Sequence, residues 1–309
     1  FLFSMNEGDY AKPLLWPEDA RADGTAGERR DCDCTATGEA THAFRLLQLK
    51  CGYLFEELMQ SVRFEDVGKG RKGTVLVDPH HVRGTPIVRT TTKYAASAHC
   101  FQPVHTRLAQ HVQKAASLPF RFNNALIEAY ADTYTSMGFH SDQELDLKQG
   151  SAIALFSCYK SAELASLAPR KLIVEAKAPG GEALEIPLEH NSVVVFDLES
   201  NRRYRHKIVL DTPSQPLPEN TWLGVTFRTS KTFVQFCDGR ACLDDGISKG
   251  PLTLASNEQR DEFYKLRRRE NQETAFTYPP LMYTISKSDM MPPRGEDAEK
   301  RHRQSRKQT

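Results

Sequence analysis

Between Phe122 and Phe236 the chain repeats one device: short runs rich in β-branched and aromatic residues, cut by turn-forming residues. Residues 122–131 and 151–157 are runs of this kind, as are Leu172–Glu175, Val193–Phe196, Lys207–Leu210 and Leu223–Phe227. Mostly antiparallel strands with intervening turns follow from that pattern, and they predict a double-stranded β-helix, or jelly roll, enclosing a space between two sheets. Residues 44–63 carry Leu54, Phe55, Leu58, Met59 and Val62 at helical spacing. Residues 103–117 repeat the pattern with Val104, Leu108 and Val112 after Pro103 in the first turn. Both are expected to buttress a sheet. The class is α+β, mainly β.

Two histidines and an acid give this scaffold its chemistry. His140 and Asp142 stand between the runs at 122–131 and 151–157, two residues apart. On an extended segment, side chains at i and i+2 point the same way, so both can reach one ion. A third ligand is expected from a later strand, and His206, heading the run Lys207–Leu210, is the first choice. His190 is the rival, in a Glu-His-Asn turn. His80 and His81 belong to a Pro-containing turn, and His99, His105 and His111 to a preceding loop and helix. Two imidazoles and one carboxylate on one face of an octahedral iron leave the opposite face open, the arrangement of non-haem Fe(II) oxygenases.

The segments Phe122–Tyr130, Gly138–Glu144, Gly150–Ala154, Arg205–Ile208 and Gly224–Arg228 resemble, in order and approximate spacing, the AlkB-like Fe(II)/2-oxoglutarate dioxygenases. The resemblance covers roughly residues 44–236, because Pro86–Tyr94 sits where that family has its substrate-facing strand. It implies Fe(II) on His140, Asp142 and His206, with 2-oxoglutarate and O2 on the open face. Tyr130 and Arg228 would bind the cosubstrate, and Glu144 and Arg89 the substrate. It also implies removal of an alkyl group from a DNA or RNA base by hydroxylation of a C–H bond.

Two positions depart from the family pattern. Glu128 stands where the family has Asn, and Trp222 where it has a second Arg. An acid repels a dianionic cosubstrate and an indole carries no charge, which leaves three alternatives: another cation from Arg89, Lys93 or Lys231, a cosubstrate held differently, or another reductant. The departures keep two other readings open: hydroxylation of a small metabolite or protein side chain, and a non-catalytic binding protein of the same fold.

Composition sets the frame. With 309 residues, 39% apolar, the chain can bury one large catalytic domain with appendages. An extended arm is expected over 1–41, the catalytic domain over 42–240, a helical extension over 241–291 with a helix from Leu252 to about Asn271, and a basic tail over 292–309. No apolar run is long enough to span a bilayer, and no signal sequence is visible. Seven cysteines at irregular spacing fit a reducing compartment, cytoplasm or nucleus. Cys32 with Cys34, and Cys237 with Cys242, lack the usual spacing of a zinc site. A net charge of +1 gives no whole-protein footprint for nucleic acid, so any basic groove must be local.

Overall fold

A computed structural model of the chain describes residues 43–78, 83–181, 183–211 and 218–295. The expected arm at 1–41, with Cys32 and Cys34, the pair His80 and His81, and the tail beyond Gly295 lie outside the described residues. In chain order come β1 (Phe44–Gln48), α1 (Phe55–Ser61), β2 (Glu65–Gly68), β3 (Arg71–Val77), α2 (Pro103–Ala115), β4 (Asn124–Tyr130), β5 (Ala152–Tyr159) and β6 (Arg170–Ala176). They are followed by β7 (Ala183–Leu188), β8 (Ser192–Asp197), α3 (Leu198–Arg203), β9 (Tyr204–Leu210), β10 (Trp222–Arg228), β11 (Phe233–Cys237), β12 (Arg240–Asp244) and α4 (Asn257–Glu270). Shorter strands and turns of helix connect them.

The larger sheet runs β1-β8-β5-β10-β4-β3-β2, with the short strand His99–Cys100 paired parallel to β3. The smaller sheet runs β9-β6-β7, antiparallel throughout. The two sheets make the expected jelly-roll core. The central strands β5, β8 and β10 of the larger sheet are largely apolar on both faces because both faces are covered. On β5, Ala152, Ala154, Phe156 and Cys158 pack toward the helices, whereas Ile153, Leu155 and Tyr159 pack toward the smaller sheet. The same alternation divides Val193 and Val195 from Val194 and Phe196 on β8. Each fully buried Val, Leu, Ile or Phe among them stabilises the fold by roughly 1.5–3 kcal/mol.

On the outer face, α2 buries Val104, Leu108, Ala109 and Val112. Its first turn is closed by Gln102, whose backbone N–H donates to His105 Nδ1 at 3.0 Å, while His105 Nε2 lies 2.8 Å from Ser61 Oγ at the end of α1. Burial pushes the His105 imidazole down to about 4, which keeps it neutral as a bolt between two helices.

Two expectations about elements change. Phe44–Gln48 is not helical: it pairs with β8 at the sheet edge, and only Phe55–Ser61 takes the helical form. The extension beyond residue 240 is not simply helical either. β11 and β12 form a hairpin across that boundary, turned by Asp238 and Gly239, both at positive φ (49° and 72°), as a two-residue hairpin turn requires. α4 appears where expected, capped by Ser256. Among the described residues, no helix is long and apolar enough to cross a membrane.

Candidate metal centre and its cavity

The loop from β4 to β5 does not wander between its strands. His140 N–H donates to His206 O at 2.9 Å and His206 N–H to His140 O at 2.7 Å, so the loop runs beside β9 as a partial extra strand. Alternation then places His140 and Asp142 on the same side, facing His206. One ligand atom from each of the three lies within 4.8 Å of the others. His190 is elsewhere: its Nδ1 accepts from Tyr159 N–H and its ring stacks on Tyr53.

Neighbours hold the loop that carries His140 and Asp142. Asn201 of α3 clamps Asp142 reciprocally, accepting from its N–H and donating to its carbonyl, each at 2.8 Å. Arg228 donates to both carboxylate oxygens of Asp142, from Nε at 3.2 Å and Nη2 at 2.9 Å. His140 Nδ1 sits 3.1 Å from Gly138 O, which leaves Nε2 for a ligand. From α4, Arg267 donates to Ser141 O at 2.8 Å. Asn271 accepts from Ser141 N–H and Glu270 from Glu144 N–H, at 2.9 and 2.8 Å.

The electrostatics suit a cation. Burial alone would raise the Asp142 carboxyl, but Arg228 and His206 hold it well below the usual carboxylate range. Burial pushes His206 down to about 3, with His140 adding to the shift, and burial also lowers His140 against the pull of Asp142. Near pH 7 the set is therefore two neutral imidazoles and one carboxylate, the protonation state that metal binding demands. His206 Nδ1 is buried with no hydrogen-bond partner, a state that is costly unless something completes the site. The donor set fits Fe(II).

A cavity of about 320 Å³ opens from this centre between the sheets. Leu126, Leu155, Leu172, Phe196 and Ile208 give it apolar walls. Away from the metal it ends at Arg71, Thr92, Glu128, Tyr130 and Trp222. Register explains that end: Arg71 on β3 and Trp222 on β10 both stand opposite Tyr130 on β4, six residues along β10 from Arg228. Glu128 is not bare there. Arg71 pairs with it through Nε at 2.7 Å and through Nη2, and Tyr130 donates to its other oxygen at 2.8 Å.

The other expected residues lie apart from this cavity. Glu144 does not line it; it pairs with Arg202, which also bonds Gln149, so the acid expected to face a substrate is committed at the rim. Arg89 is 1% exposed and carries a different load. Its guanidinium grips both oxygens of Asp146 and donates to the carbonyls of Leu281 and Tyr283, tying the C-terminal segment to the loop, so it is a structural clamp. Nor does it supply the missing cation. Lys231 is exposed and Lys93 lines a separate hollow with Arg260 and Lys287. Arg71, Arg267, Asn201 and Gln143 are the site residues that motif spacing does not reveal. Gln143 is 5% exposed, lines the cavity, and leaves both amide atoms without partners. Cys237 and Cys242 lie on adjacent strands but face Arg240 and Gln235, so they do not meet as a pair.

A sequence model described as the 2OG-Fe(II) oxygenase superfamily matches residues 54–228, which include the three clustered ligands and Arg228. No curated protein sequence matches the chain. Among solved structures, one titled "The structure of OsALKBH1" is similar at 15% identity with a TM-score of 0.36, over 55% of this chain and 85% of that one.

Proposed function

The chain belongs to the 2OG-Fe(II) oxygenase superfamily, and from that premise we propose that its substrate is an alkylated base in DNA or RNA. The class of chemistry is that of the superfamily: an Fe(II)- and 2-oxoglutarate-dependent dioxygenase. When bound, iron and cosubstrate supply the oxidising equivalent that hydroxylates a C–H bond. The protein's share is to hold the ligands, exclude water and aim one carbon of the substrate. His140, Asp142 and His206 would hold the metal. Arg228 would keep Asp142 ionised and oriented. Leu155, Leu172 and Ile208 would keep the cavity dry.

The observation that carries the substrate reading is the lip beside His140. Phe139 lines the cavity mouth with the Arg205 guanidinium, itself paired with Glu175, 5.4 Å and the Lys207 ammonium 4.4 Å from its ring centroid. An aromatic face bracketed by cations is the surface on which single-stranded nucleic acids stack bases and rest phosphates. Next in sequence to the Thr90–Thr92 wall, Lys93 lines a separate hollow together with Arg260 and Lys287. Inside, the unpartnered amide of Gln143 offers one donor and one acceptor edge, which matches a base better than the committed Glu144 does.

The test uses an N-methylated single-stranded oligonucleotide, with formaldehyde release and binding followed across salt concentrations. The reading expects iron-dependent formaldehyde, with affinity falling steeply as salt rises. Salt-independent binding without formaldehyde, alongside succinate formation stimulated by a small metabolite, would replace the nucleic acid with that substrate class.

A further inference from the structure

The end of the cavity away from the metal poses a problem that the departures at Glu128 and Trp222 create. A 2-oxo dicarboxylate with one end at the metal must bury its second carboxylate, and a buried anion needs donors and a cation. Trp222 cannot be that cation. Its indole is 1% exposed, packs 4.8 Å from the Tyr130 ring, and lies over Gly224, where a Cβ would come within 2.1 Å of it.

Among the described residues, the arginines and lysines lining the cavity are Arg71, Arg228 and Arg267. Arg228 is engaged by Asp142, and Arg267 by Ser141 O and Glu270. Both belong to the metal end. Arg71 alone belongs to the other. Glu128 holds it along its Nε and Nη2 edge, and Thr92 Oγ1 accepts from Nη2 at 3.0 Å. Gly73, opposite Glu128 on β3, leaves the room: a Cβ there would stand 3.2 Å from Glu128 Cγ and 2.7 Å from the Tyr94 hydroxyl. Trp222 Nε1, buried and without a partner, adds a donor on a residue that lines the same cavity.

We infer that Arg71 reads the distal carboxylate of the cosubstrate, in place of a cation on β10, while Glu128 serves as the brace that aims its guanidinium. The inference rests on the dioxygenase reading of the site and not on the nucleic-acid substrate. Its physical signature is a carboxylate bound by oriented donors with no surplus of charge, because Glu128 cancels Arg71. Relieving that cancellation strengthens binding; removing the donors erases the discrimination between a dicarboxylate and its monocarboxylate analogue.

The test loads the full chain with Mn(II) and measures by calorimetry its affinity for 2-oxoglutarate and for 2-oxopentanoate, which has the same carbon chain but no distal carboxylate. The intact protein should prefer 2-oxoglutarate by roughly 10- to 100-fold, the range for hydrogen bonds to a charged group. Glu128→Gln should widen the preference several-fold. Arg71→Ala alone would leave Glu128 bare and repel any dianion, so the decisive protein is the double variant Arg71→Ala/Glu128→Gln. A preference collapsing to near one in the double variant, with Mn(II) affinity intact, supports the assignment. A preference equal to that of Glu128→Gln would overturn it, reducing Arg71 to a partner for the acid. Failure of the intact protein to bind Mn(II) would overturn the metal centre itself, and is separable from both other outcomes.

Discussion

The two ends of one cavity are assembled by different rules. At the metal end, ligands two residues apart on an extended segment face one ligand across a backbone pairing, and bonds from α3, β10 and α4 hold them. At the other end, three strands meet in register at Arg71, Tyr130 and Trp222, and the chemistry comes from a charge pair across two of them. The lesson is that local spacing encodes the donor set for an ion, whereas charge balance in a sheet is encoded by which strands become neighbours.

The harshest challenge to that contrast is Asp142→Ala. It removes a ligand and strands the Arg228 charge in a buried site, so iron retention should fall at least 100-fold, as read by equilibrium dialysis; unchanged stoichiometry would dissolve the metal end altogether. A finer cut compares Arg228→Ala with Arg71→Ala. Because Arg228 braces a ligand, its loss should weaken metal binding about 10- to 100-fold, whereas loss of Arg71 should leave metal affinity unaltered. Equal effects would show that the ends are not separate.

Acid should probe the metal end as well. His206 is held at about 3 in the fold against about 6.5 for a free imidazole. A depressed pKa contributes stability that is complete above the unfolded value and lost as pH falls toward the folded one. Urea titrations of the metal-free chain should therefore show stability declining from about pH 6.5 downward, with a shallower decline in His206→Gln; His105, at about 4, contributes a share of the slope in both proteins. The smallest effect belongs to Glu144→Ala. A partly exposed pair with Arg202 is worth about 1 kcal/mol or less, and cosubstrate turnover should persist.

What the sequence made legible follows the same division. The β-rich runs, the two-residue spacing of His140 and Asp142, and the helix after Pro103 are all patterns within one segment, and they can be read there. Phe44–Gln48 misled because it lies in one segment with the helical series that begins at Leu54; partnership with β8 decided its form. Asp238 and Gly239 held a hairpin signal at a point expected to be a boundary. Arg89 is expected at the substrate, but Asp146 and two distant carbonyls enclose it. Arg71 has no neighbour in sequence that explains it, since its meaning lies 57 residues away in Glu128.

The hold of α4 on the metal loop reaches beyond geometry. The helix lies after the last residue of the superfamily match, yet Arg267, Asn271 and Glu270 bond the backbone at Ser141 and Glu144, on either side of Asp142. Linkage is reciprocal: whatever ordering of the loop the helix provides to an incoming ion, the ion returns to the helix. Occupancy of the centre should therefore raise the amide-exchange protection of a segment beyond the superfamily match, which would make the C-terminal extension a reporter of whether the enzyme is charged.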